Sequence, residues 1–238
     1  MPEKIVVAGI QVAVTRKKIK NVHLSVYPPN GVVRMSVPSR MTDETLRVFL
    51  VAKVGWIRSQ QKKLQEAQRE TLREYVNRES HYLWGARLLL SVEEEAVPAT
   101  VEVKSRQVIL HIRPGSTPES RETVVNAWYR DQVRDAAMPL IAKWEKKLNV
   151  RVNTLFVQKM KTRWGSCNTT KRNIRLNTEL GKKTKECLEY IVVHELIHLL
   201  EPSHNARFQE LMDTNLPHWR VLRSQLNSSP LAYEDWQY

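Results

Sequence analysis

Between Thr184 and Leu200 the chain carries a helical pattern that is apolar over most of its surface, yet holds two imidazoles and a carboxylate. Leu188, Ile191, Val192, Leu196, Leu199 and Leu200 supply the apolar surface, enough to bury most of a helix. Thr184 stands where a cap belongs, and Glu186 puts negative charge into the first turn, where it suits the helix dipole. Polar groups on so apolar a helix are costly to bury unless they are partnered, so their presence needs a reason.

His194 and His198 are one helical turn apart and project from the same face, so both can reach one ion. Glu195 lies beside that face, displaced enough to miss the ion and near enough to reach a water bound to it. This is the mechanical content of an H-E-x-x-H helix: two ligands for zinc and a carboxylate that takes and returns a proton. A catalytic zinc needs a third protein ligand and an open position. Pro202 disfavours continuing the helix, Ser203 can cap a new one, and His204 would fall in its first turn. His204 is therefore the preferred third ligand, with His218, Glu210 and Asp213 as alternatives. The spacing of His194, His198 and His204 equals the metzincin pattern, but Glu201 and Pro202 stand where that turn expects a glycine.

Upstream lies Arg163-Trp164-Gly165-Ser166-Cys167, in which Gly165 marks a bend or a close approach of backbone to something else. Ile174 and Leu176 alternate with polar neighbours, so they read as a strand feeding the zinc helix. An exposed strand edge there would let an extended peptide add by main-chain hydrogen bonds. Between Lys159 and Lys185 nine basic residues face one acidic residue, Glu179, a local excess of +8. Such a run ordinarily marks a solvated face, but directed at a metal it would suit a nucleotide or nucleic acid.

Several of these motifs together resemble the YgjP-like metallopeptidase family, itself similar to the SprT-like and WLM zincins. They are Arg163-Trp164-Gly165-Ser166-Cys167, Arg175-Leu176-Asn177, Tyr190 to Leu199, then His204, Phe208 and Pro217-His218-Trp219. Tyr82-Leu83-Trp84-Gly85 before a strand fits the same layout more loosely. The resemblance covers roughly residues 155 to 225. It implies a zincin catalytic domain with zinc on His194, His198 and His204 and Glu195 as the base. Arg163, Trp164, Gly165 and Ser166 are the expected substrate-aligning segment. The expected substrate is a peptide or protein; a nucleotide pyrophosphohydrolase or a DNA-associated zinc protein is the alternative.

The remaining pattern gives an α+β chain. Ile5–Val14, Val22–Tyr27 and Val32–Val37 read as strands, the last two joined through Pro28-Pro29-Asn30-Gly31. A helix is expected from Thr42 to about Asn77, strands at Leu83–Val92 and Val101–Ile112, and a helix from Glu119 to Leu148 that Pro139 could kink. A strand follows at Val150–Val157, and no internal repeat is visible. The expected organisation is a β-rich N-terminal region over residues 1–115 and a zincin-like hydrolase domain over 116–238. The chain has 238 residues and a net charge of +13, with 42% hydrophobic residues, enough for a real core. Cys167 and Cys187 are too few for a disulfide scaffold. No apolar run approaches the roughly 20 residues of a membrane span, and the simplest expectation is a cytoplasmic protein.

Overall fold

The computed structural model describes residues 3–27, 31–66, 73–95, 98–160 and 163–228. The chain divides into two compact units between Leu72 and Arg73.

The first unit opens with β1 (Glu3–Val7) and β2 (Ile10–Lys17), where the sequence pattern had suggested one strand. Ala8 and Gly9 both adopt positive φ, 49° and 80°, the conformation that reverses a chain in two residues. β3 (His23–Tyr27) and β4 (Val32–Pro38) pair antiparallel, and the connecting residues 28–30 lie outside the described set. The sheet order is β1-β2-β4-β3, with β2 and β4 parallel. Alternation along β2 and β4 turns Val12, Val14, Val33 and Met35 inward against Leu46, Leu50 and Ile57 of α1 (Asp43–Glu66). The helix expected to run to about Asn77 is absent from 73–77, which are irregular.

The second unit repeats this plan. β5 (Ser80–Leu83), β6 (Ala86–Glu94), β7 (Thr100–Lys104) and β8 (Gln107–Ile112) form a sheet ordered β5-β6-β8-β7, again with the two central strands parallel. Its first hairpin also turns on a positive-φ residue followed by glycine, Trp84 (51°) and Gly85 (81°). A long helix again follows, α2 (Pro118–Leu148). Thus two β-β-β-β-α modules stand in tandem, although their sequences show no repeat. The segment read as one strand over 101–112 is a hairpin closed at Ser105 and Arg106.

Thr117 caps α2 and Pro118 occupies its first turn, a position where a missing N–H costs nothing. Pro139 does not split the helix. It sits on an exposed face, while Val125, Tyr129, Val133, Ala137, Ile141, Trp144 and Leu148 form a continuous buried stripe. The front of that stripe, Val125 and Tyr129, closes the core of the β5–β8 sheet, together with Leu90, Val108 and Leu110. The compact unit consequently begins at Arg73, well before the boundary near 115 suggested by the pattern.

A three-stranded sheet completes the unit: β9 (Thr154–Gln158), β10 (Gly165–Asn168) and β11 (Asn173–Asn177), in the order β10-β11-β9. A 3₁₀ turn over Thr178–Lys182 leads to α3 (Lys185–Ile197), followed by α4 (Ala206–Asn215) and α5 (Trp219–Ser228). α3 is buried nearly all round, packed against the rear half of the α2 stripe and against Ile174, Leu176, Phe208 and Met212. Among the described residues no helix is long and apolar enough to cross a membrane.

Candidate metal centre

His194 and Glu195 sit in the last turn of α3 and His198 at its C-cap. Thr184 does occupy the N-cap, but its side chain makes no capping bond. The helix ends in tightened turns, with Leu199 and Leu200 donating to the carbonyls of Leu196 and Ile197. The chain then reverses through Glu201, Pro202 and Ser203. The helix that follows is capped by Asn205, whose Oδ1 accepts from the N–H of Phe208 at 3.0 Å. Ser203, expected to be that cap, instead donates to the Glu201 carboxylate. His204 therefore lies in the loop ahead of the cap, not in the first turn of the helix.

Ligand nitrogens of His194, His198 and His204 all lie within 4.8 Å of one another. Nε2 of His194 and Nε2 of His204 are 3.0 Å apart, close to the ~3.3 Å edge of a tetrahedron built on zinc–nitrogen bonds of about 2.0–2.1 Å. Burial, with the fields of His198, His204 and Arg223, pushes His194 down to about 3, so that ring is neutral. A neutral imidazole set nitrogen to nitrogen against a neighbouring ring brings an acceptor lone pair to the contact, which suits a shared cation. His198 donates from Nδ1 to the Glu201 carbonyl at 3.1 Å, fixing the tautomer that leaves Nε2 as a lone-pair donor. The Phe208 ring touches all three imidazoles, with centroid separations of 4.9, 4.8 and 4.7 Å. Of the alternative ligands, Asp213 is engaged by Trp219 Nε1 at 2.8 Å and by Arg220. His218 and Glu210 do not join the group.

Glu195 is only 4% exposed. Its burial pushes the carboxyl up to about 8, against the opposing field of Arg163. Gly165 explains how tightly it is held: a Cβ built there would meet Glu195 Oε1 at 2.6 Å and Ile191 Cγ2 at 2.9 Å. The close approach expected at Gly165 is thus to Glu195. The strand expected at Ile174 and Leu176 is the central one of its sheet, and β10, starting at Gly165, is one of the two terminal strands, with β9 the other.

Asn177, 4% exposed, anchors the loop that precedes β10. Its Nδ2 donates to the carbonyls of Met160 and Arg163, both at 2.8 Å, while Oδ1 accepts from the N–H groups of Met160 and Glu179. The motif reading included Asn177 without a role; a buried amide at the end of a strand is the signal that marks it. A cavity of about 500 Å³ joins these pieces, lined by Arg163, Trp164, Gly165, Ser166, Cys167, the three histidines, Glu195, Tyr190 and Arg223 among others. Burial, reinforced by Glu195, pushes the Cys167 thiol up to about 11, so it is no nucleophile at neutral pH.

The matching motif is a whole domain. A model of the YgjP-like family, a metallopeptidase domain, matches residues 20–229. The chain belongs to the YgjP-like metallopeptidase family. Membership makes it a metal-dependent hydrolase of peptide bonds. Among solved structures it is similar to two archaeal metallopeptidase zymogens. Abylysin of Pyrococcus abyssi shares 16% identity over 40% of this chain and 99% of its own, with a TM-score of 0.36. Jannalysin of Methanocaldococcus jannaschii shares 22% over 41% of this chain and 92% of its own, with a TM-score of 0.31. No curated protein matches the chain.

Most of the described basic residues of the 159–185 stretch do not line the cavity. Lys182 pairs with Glu179 at 2.7 Å, Arg175 lies over Phe156, Lys183 over Trp164 and Lys185 over Trp84. Lys161 is outside the described residues. Of the described cations in the stretch, only Arg163 lines the cavity.

Proposed function

We propose that the chain is a zinc peptidase in which His194, His198 and His204 hold the ion and Glu195 is the general base. The observation that carries this reading is the convergence of three imidazoles beside a buried carboxylate in one cavity. Zinc in such a site acidifies water toward a pKa of about 7 and polarises a carbonyl. Glu195 takes the proton of the attacking water and returns it to the leaving nitrogen. A buried carboxyl held in place by Gly165 and Ile191 beside the three imidazoles is positioned for both transfers. An extended substrate pairs with the free edge of β10 by main-chain hydrogen bonds, and Arg163, Trp164, Gly165 and Ser166 align it. Asn177 holds the loop from which Arg163 and Trp164 project.

Glu195→Gln tests this directly. Wild-type protein reconstituted with zinc should cleave peptides, and the variant should lose at least about a thousand-fold in kcat while keeping one zinc per chain. Retained turnover in the variant would sink the assignment. His204→Ala should lower zinc affinity, measured by chelator competition, whereas His218→Ala should not. A nucleotide pyrophosphohydrolase or DNA-associated role draws little support from a cavity wall with so few cations.

A further inference from the structure

α5 is an amphipathic helix whose polar border meets the cavity. Trp219, Leu222 and Leu226 fall at i, i+3 and i+7, the spacing of a single face. Trp219 and Leu226 are buried and Leu222 packs against the same core, while position 223 stands at the exposed border of that face. Arginine occupies it, and it lines the cavity that holds the three imidazoles. Its charge is felt at both His194 and Tyr190. The other arginine of α5 behaves differently: Arg220 is bound to Asp213 and stacks over Trp219 at 4.5 Å. Among the described residues, Arg223 has neither a hydrogen bond nor an ion pair.

The cavity wall therefore has two guanidiniums, Arg163 and Arg223, on different elements, and a single carboxylate, Glu195. Glu195 packs against Gly165, feels the charge of Arg163 and is nearly inaccessible. Nothing in the wall neutralises Arg223. A planar guanidinium with five donors is built to take a carboxylate in two parallel hydrogen bonds. The surrounding wall contributes Tyr190, Ile191 and Leu226, an apolar surface beside which such a pair would form while Arg223 itself stays open to entering ligands. Two guanidiniums fit one negative group better than the three or four charges of a phosphoanhydride, since no described lysine of the 159–185 stretch lines the cavity.

We propose that Arg223, assisted by Arg163, forms a carboxylate subsite beside the metal centre, and that the preferred substrates carry a carboxylate near the scissile bond. This rests on the peptidase reading and names its substrate class. The carboxylate has two possible sources, an acidic side chain or the free C-terminus of a short peptide.

Binding is measured first, on zinc-loaded full-length Glu195→Gln protein, with four hexapeptides: Glu or Gln at the position flanking the centre, each with a free or an amidated C-terminus. The subsite predicts that the preferred carboxylate tightens binding about ten-fold, the size of a hydrogen-bonded charge pair. The Glu/Gln ratio rises if the side chain is the ligand; the free/amide ratio rises if the terminus is. Adding Arg223→Ala should bring that ratio to near one, Arg223→Glu should invert it, and Arg223→Lys should keep part of it. Zinc content and circular dichroism check that each variant is folded. A ratio near one in the parent protein, or one indifferent to all three Arg223 changes, overturns the proposal. Turnover of the same peptides by wild type separates the two readings. If no peptide is cleaved but the binding ratio depends on Arg223, the peptidase reading fails and the subsite stands. If all four are cleaved with equal kcat/KM and bound equally, the subsite fails and the peptidase stands.

Discussion

Two residues without any polar chemistry of their own set the geometry of the centre. Gly165 leaves no room for a methyl group beside Glu195, because Oε1, Cγ and the Ile191 methyl all crowd the position where Cβ would stand. Gly165→Ala should displace the carboxylate by several tenths of an ångström. The expected result is a loss of roughly 10- to 100-fold in kcat with zinc stoichiometry unchanged, read from steady-state kinetics and metal analysis. Phe208 supports the three imidazoles from below and is fully buried. Phe208→Ala should destabilise metal-free protein by about 3–5 kcal/mol in urea unfolding and weaken zinc by roughly 10- to 100-fold. Phe208→Leu, which refills most of the volume, should do much less. A Phe208→Ala protein with native zinc affinity would show that the rings are placed by their own backbones. His194, Glu195 and His198 were legible in the sequence as a group because one helical turn puts i and i+4 on one face whatever else the chain does. Phe208 was legible only as part of a motif, because its contact with the rings depends on where α4 lands.

Among the elements, the packing of α3 on α2 places the centre, and one polar contact pins it at the rim. Glu189 on α3 accepts from Lys143 Nζ and Trp144 Nε1 on α2, both at 2.8 Å. Burial would raise the Glu189 carboxyl, but these bonds and the charges of Lys143 and Lys147 outweigh it and hold it below its ordinary value. A group depressed in the folded state stabilises that state above its unfolded pKa and loses the contribution as pH falls through the folded one. Metal-free wild type should therefore melt higher than Glu189→Gln near pH 7, and the gap should close as pH falls from the ordinary glutamate value of about 4.3 through the lower value of the folded state. A gap that stays constant across that range would show the contact to be electrostatically idle. The long helices could be read from periodicity and caps, as at Thr117 and Pro118. The hairpins could not. Ala8-Gly9 and Ser105-Arg106 interrupt runs whose alternation continues on either side, so apolar pattern alone reads through the turn. Pro139 gave the opposite error: it lies on the exposed face of α2, where the buried stripe holds the helix together around it.

The two compact units each have a core of their own. Val12, Val14, Val33, Met35, Leu46 and Leu50 serve the first, while two clusters of the second meet along α2. Residues 73–229 expressed alone should fold cooperatively and bind one zinc per chain. A fragment covering 116–238 should not fold, since Val125 and Tyr129 would lose the β5–β8 sheet that covers them. Calorimetry with metal analysis decides between the two boundaries; zinc binding by the shorter fragment would restore the one near 115.

The helix that carries two imidazoles on one face, the carboxylate beside them and the α+β class follow from local spacing and side-chain chemistry, properties that short segments of chain carry with them. The terminal place of β10 in its sheet, the approach of Gly165 to Glu195, the support of three rings by Phe208 and the place of Arg223 in the cavity do not. Each joins residues far apart in the chain, and so does the shared plan of the two β-β-β-β-α modules, which is written in strand order and direction and not in residue identity. Such contacts arise when apolar faces seek burial together, and which polar groups then meet is settled by that packing.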